Sequence, residues 1–120
     1  MTLPQAAALF NAGRFTEFQD ALEALAAETR AASERQFYTV LGHVAEAMHK
    51  LGNEDFAGAE ERLTNALRRL DEFMPRFRGV NVDALREDCR RLVSDLREMR
   101  AGRRPEVDPA RLPRLRFLPE

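Results

Sequence analysis

Asn11-Ala12-Gly13-Arg14-Phe15-Thr16-Glu17-Phe18 leads into Leu22 and Leu25, and about 41 residues later Gly52-Asn53-Glu54-Asp55-Phe56-Ala57-Gly58-Ala59 leads into Leu63 and Ala66. Each stretch joins a helix stop, a tight turn, an aromatic anchor and the start of a new amphipathic helix, which is how a chain lays helices side by side. Two such corners predict an all-α fold: a compact bundle of about five helices built from helical hairpins. The hairpins are TPR-like, but too few for an open array.

Working outward, Thr2-Leu3-Pro4-Gln5 has the form of a capping box with proline in the first turn, and Gly13 supplies a left-handed stop for a first helix ending in Leu9 and Phe10. Thr16-x-x-Gln19 repeats the box and predicts a second helix to about Ala32, with Phe18, Leu22, Leu25 and Ala26 in one arc. Ser33-x-x-Gln36 opens a third, striped by Phe37, Val40, Leu41, Val44, Ala47, Met48 and Leu51 and stopped by Gly52. A fourth, capped by Asn53 or Asp55, runs through Phe56, Leu63 and Leu70 to Met74, where Pro75 ends it. The fifth starts near Asn81 or Asp83, buries Leu85, Cys89, Leu92 and Leu96, and stops at Gly102. No stretch reads as a convincing strand. Residues 1–102 form the bundle domain. Prolines 105, 109, 113 and 119 make residues 103–120 an extended Pro/Arg-rich tail that packs on the bundle or on a partner.

Composition narrows the function classes. A chain of 120 residues holds one core and buries roughly two-thirds of its unfolded surface. The single cysteine, Cys89, excludes an internal disulfide, and no N-terminal stretch has the form of a secretion signal, so a reducing cytoplasm is the expected setting. No segment approaches the roughly 20 apolar residues that span a bilayer, so no membrane partner is expected. The net charge of −1 hides an asymmetry: residues 76–120 carry 12 arginines against 8 acids, and residues 1–75 carry 7 cations against 12 acids.

A family resemblance rests on Leu9-Phe10-Asn11-Ala12-Gly13-Arg14-Phe15-Thr16-Glu17-Phe18-Gln19-Asp20-Ala21-Leu22-Glu23, together with Ala47-Met48-His49, Gly58-Ala59 leading into Leu63, Gly79-Val80-Asn81-Val82-Asp83 and the Pro-Arg tail. These pieces resemble domain-of-unknown-function family 309, a small prokaryotic all-helical family, over nearly the whole chain. The resemblance implies that Phe10, Asn11, Phe15, Glu17, Gln19, Asp20, Glu23 and His49 are the family-motif positions. Where the family shows His-Glu this chain has Gln19-Asp20, a tryptophan common in the family is replaced near Ala26, and a Gly-Leu-Ile-Gln-like run reads Val40-Leu41-Gly42-His43. Any chemistry carried by the family's His-Glu pair is therefore lost here.

Other constellations weaken under helical geometry. Glu46-x-x-His49 matches one half of a di-iron pattern, but both residues lie about 140° to 160° from Val44 at the stripe's centre and point away from the core. No second copy exists, so no metal or cofactor is expected. An acid–base site would have to be built around Glu17, Asp20 and Glu23, with the carboxylates turned inward. Nucleic-acid binding would need Arg86, Arg90, Arg91, Arg97, Arg100, Arg103 and Arg104 to form a basic ridge, yet Asp83, Glu87, Asp88, Asp95 and Glu98 interleave with them as a solvated face. On the third helix Tyr38, Gly42, Ala45 and His49 share a second face, to be covered by the tail or by the same face of another copy in a homodimer. With Arg114, Arg116 and Phe117 of the tail they form the candidate interaction face. The sequence thus points to a non-enzymatic protein-interaction or scaffold module, with partner contacts on the tail or in a groove between the second and fourth helices.

Overall fold

The computed structural model describes residues 1–104 and 106–119; Pro105 and Glu120, which the sequence places in the tail, lie outside the described residues. The fold is an all-α bundle of five helices: α1 (Leu3–Asn11), α2 (Phe15–Glu28), α3 (Ala32–Gly52), α4 (Phe56–Leu70) and α5 (Val82–Arg100). Each helix packs against its sequence neighbour: α1 on α2, α2 and α4 on α3, and α5 on α4. No helix among the described residues is long and apolar enough to cross a membrane. α3 stands between α2 and α4, and the groove beside α2 among the described residues lies against α3 rather than α4.

The two look-alike corners share one backbone solution. After α1, Gly13 N–H donates to Phe10 O and Arg14 N–H to Leu9 O; after α3, Glu54 N–H donates to Leu51 O and Asp55 N–H to Lys50 O. These paired bonds close a helix end only if one residue turns left-handed, and that residue is Gly13 (φ 79°) in the first corner and Glu54 (φ 60°) in the second. Gly52 is the last helical residue rather than the stop. The end of α5 repeats the pattern, with Gly102 N–H on Met99 O and Arg103 N–H on Glu98 O.

The caps divide. Thr2 and Gln5 form the reciprocal box, and Asp55 and Asn81 accept from Gly58 and Ala84 N–H, both at the third residue on. The boxes read at Thr16 and Ser33 do not form. The second helix begins at Phe15, where the Arg14–Glu17 ion pair spans its first turn at 2.7 Å. It ends at Glu28 because Thr29 turns extended and its hydroxyl accepts the Ala31 N–H, leaving Ala31 as an uncapped start for α3.

Two aromatic clusters mark opposite parts of the core. Phe10 meets Phe15 and Phe18 edge-on at centroid distances of 5.4 and 5.2 Å, and Phe37 meets Phe73 and Phe77 at 5.1 and 4.8 Å. The second cluster ends α4 early: the chain leaves the helix at Leu70, tightens into a single turn at Asp71–Phe73 and inserts the Phe73 ring. Beyond it lies the strand that the sequence reading lacked, a two-residue hairpin of β1 (Arg76–Phe77) and β2 (Val80–Asn81). Its turn residues Arg78 (φ 49°) and Gly79 (φ 81°) both have positive φ, as the tightest hairpin loops require.

Candidate functional site

The tail returns along α5 as an arm. After a single turn at Pro109–Arg111, capped by Asp108, it runs antiparallel to α5 and pairs through Phe117 with Val80 of β2. Asn81 N–H donates to Arg116 O and Leu118 N–H to Gly79 O, both at 2.8 Å, so the arm adds an antiparallel bridge to the edge of the two-stranded hairpin. Asn11 reads the arm backbone in both directions: its Nδ2 donates to Leu115 O at 2.9 Å and its Oδ1 accepts from Leu115 N–H at 2.8 Å. The Leu115 side chain is 3% exposed.

Two buried carboxylates on α5 face the arm, and they correct the reading of α5's acids as a solvated face. Asp88 is 5% exposed; it accepts from Arg91 and Arg116 at 2.8 Å each and from Arg114 N–H at 3.3 Å. Asp95, 2% exposed, accepts a two-pronged bond from Arg111 at 2.8 and 3.2 Å and lies 3.6 Å from Arg104. The Asp95 hydrogen bond raises the affinity of the Arg111 guanidinium for its proton. A carboxylate removed from water survives only with such partners. Seven residues apart, Asp88 and Asp95 share one helix face, and the arginines at 111 and 116 were the available sequence signal for this pairing.

The α3 face of Tyr38, Gly42 and Ala45 packs against α2 rather than under the tail. Leu22 packs over Gly42, Gln19 Nε2 donates to Gly42 O at 3.4 Å, and Ala45 is fully buried. His49 is exposed beside Arg14, Phe15, Thr16 and Glu17 at the start of α2. The candidate interaction face therefore splits: Tyr38, Gly42, Ala45 and His49 lie along α2, while Arg114, Arg116 and Phe117 lie along α5 and the hairpin.

Where α2 and α3 diverge, a groove of about 180 Å³ opens, lined by Gln19, Leu22, Glu23, Ala26, Tyr38, Thr39 and Gly42. One turn before Tyr38 on α3, Glu34 pairs with Arg78 of the hairpin turn. Burial, reinforced by the Glu34 charge, raises the Tyr38 pKa. Asp20, Glu23 and Glu28 on α2 are exposed, and none has a cation within 4.0 Å among the described residues.

Of the family-motif positions, Phe10, Phe15 and Asn11 are structural, the first two as aromatic anchors and the third as the clasp on the arm. Glu17, Asp20 and Glu23 are exposed, so no enclosed acid–base site forms from them. Glu46 pairs with Arg62 at 3.1 Å and lies 3.9 Å from His43. Among the described residues no group of three or more His, Cys, Asp or Glu is placed to hold a metal ion. All seven arginines of the conceivable basic ridge lie against carboxylates: Arg86 on Asp71, Arg90 on Glu87, Arg91 on Asp88, Arg97 and Arg100 on Glu60, Arg103 on Glu98, and Arg104 on Asp95. Compared with protein-family models, curated proteins and solved structures, the chain matches none.

Proposed function

We propose that this chain is a non-catalytic protein-interaction module of a reducing cytoplasm, a divergent member of domain-of-unknown-function family 309, and that its α2–α3 groove receives a basic amphipathic segment of a partner protein. The observation that carries this is the unneutralised acidic edge of the groove. Glu23 stands beside an apolar floor of Leu22, Ala26 and Tyr38 with no cation within 4.0 Å among the described residues, while Gln19 and Thr39 offer hydrogen bonds and the exposed Asp20 adds a second bare carboxylate on α2. Charge complementarity then selects a partner bearing lysine or arginine next to small apolar side chains, and steers its approach. The sequence holds a single cysteine and so builds no internal disulfide, which supports the reducing setting.

The test is an NMR titration of the full-length protein with a synthetic Lys/Leu amphipathic peptide. Saturable shifts centred on Leu22, Glu23, Ala26, Tyr38 and Gly42, abolished by Asp20→Lys/Glu23→Lys and weakened by salt, are the expected result. Shifts spread over the arginine-bearing face of α5, or no saturable binding, would discard the groove.

A further inference from the structure

From the arm and its seat we infer a self-association mode: the arm of one chain docks on the body of a second copy, giving an arm-exchanged dimer that reuses the contacts of the monomer. This stands apart from the groove, since none of the groups involved lines it.

The seat is built to read an extended segment rather than a neighbouring helix. Asn11 takes both polar backbone groups of Leu115, β2 pairs with the chain around Phe117, and Asp88 and Asp95 take Arg116 and Arg111. All of these groups belong to the body. The arm's own ordering reduces to one turn at Pro109–Arg111, so it meets the seat much as a separate peptide would.

An empty seat is unfavourable. Without the arm, Asp88 keeps only Arg91 among the described residues and Asp95 loses both Arg111 and Arg104, which lies beyond the Gly102 turn, while Asn11 and the β2 edge lose their backbone partners. Buried carboxylates left with fewer counter-charges demand a replacement, and the replacement of matching chemistry at hand is another copy's arm.

What decides between the chain's own arm and a second copy's is the reversal after α5. It depends on Gly102 at φ 79°, flanked by exposed Ala101 and Arg103. When that turn opens, the arm projects past α5 and reaches a neighbour, whose arm returns the contact and closes a two-fold pair. The docked contacts are the same in both states, so their energies largely cancel. The balance then rests on the turn and on an effective arm concentration in the millimolar range. The monomer dominates in dilute solution, and disfavouring the turn shifts the balance to the dimer.

Sedimentation of full-length Gly102→Val protein tests this. A β-branched residue resists positive φ, so its dimerisation constant is expected to rise about tenfold over the parent with unchanged helical circular dichroism. That gain should vanish when Arg111→Ala and Arg116→Ala are added. A folded Gly102→Val monomer at all concentrations, or a dimer indifferent to the two arginines, would overturn the inference. Should Gly102→Val fail to fold, the otherwise unaltered chain serves. A donor dye on Pro119→Cys protein and an acceptor on Ala8→Cys protein, mixed at about millimolar concentration, must show energy transfer that the double arginine variant of the donor chain lacks. Absent transfer, or transfer that survives in the variant, would equally overturn it.

Discussion

Along α5 and the turn after it, every arginine from Arg86 to Arg104 lies against a carboxylate, whereas on α2 the carboxylates of Asp20, Glu23 and Glu28 meet no cation among the described residues. Both helices are amphipathic and heavily charged. The difference lies in what the chain places across from each. α5 has α4's Glu60 on one side and the returning arm on the other, so its arginines and its buried carboxylates Asp88 and Asp95 are neutralised by the fold. α2 packs chiefly on α1 and α3, and Asp20, Glu23 and Glu28 on its outer edge are exposed. Charge that the fold has neutralised holds the molecule together, and charge left bare is free to recognise something else.

The comparison breaks most sharply at Asp88. Asp88→Ala strands Arg91, Arg116 and the Arg114 N–H, and is expected to destabilise the protein by about 2 to 3 kcal/mol, the lower part of the range for a buried charge because the arginine heads can rehydrate. Asp20→Ala on α2 should stay within about 0.5 kcal/mol. Urea unfolding of the two variants measures both. Equal midpoints would mean that the arm and α5 are not one cooperative unit.

Alkaline titration probes the same helix from its core side. Burial, and next the charge of Asp88, push the Cys89 thiol far above its ordinary range. A group whose native pKa is raised stabilises the fold below its unfolded pKa, near 8.5 for a thiol, and loses that contribution as pH rises. Stability should therefore fall above about pH 8.5, by up to about 1.4 kcal/mol per pH unit from this group. Cys89→Ala should flatten the first part of that fall. Tyr38, also raised, adds its share only above about pH 10. Urea midpoints across pH 7 to 11 would show the two onsets.

A smaller effect separates the arm from the bundle. Asn11→Ala leaves the Leu115 N–H and C=O without partners, for a loss of about 1 to 1.5 kcal/mol. Hydrogen exchange should speed at the Leu115 and Leu118 amides while α2 amides keep their rates. Uniform acceleration would show that the arm opens only with the whole fold.

How legible this was from the sequence follows from the range of the forces. Apolar periodicity marks the buried stripes of α3, α4 and α5, because it is set within one helix. The corner at Asn11–Phe18 and its look-alike at Gly52–Ala59 were legible for the same reason, although Glu54, not Gly52, takes the left-handed turn. The caps at Thr16 and Ser33 were misplaced because the Arg14–Glu17 pair settles the start of α2 and the Thr29 hydroxyl settles the turn before α3. The hairpin at Arg76–Asn81 escaped notice because each strand is two residues long and is completed by the arm from about 40 residues away. Asp88 and Asp95 looked like surface acids for the same reason: nothing local says that Arg116 and Arg111 will return to cover them. The groove was half visible, since the small-residue face of α3 was evident and its cover by α2 was not.

The smallest expected effect on stability is the most informative about function. Glu23→Lys reverses one charge on an exposed position at the groove's edge, where no ion pair is lost among the described residues, so the unfolding free energy should move by less than about 0.5 kcal/mol. The Lys/Leu peptide should nevertheless lose most of its affinity, because the reversal replaces attraction with repulsion beside Leu22 and Ala26. The matched change on the other helix, Arg97→Glu, removes one of two arginines from Glu60 and should leave peptide binding intact. If instead the α5 variant weakens the peptide and the α2 variant does not, recognition belongs to the face whose charges the fold neutralises, and the contrast between the two helices is inverted.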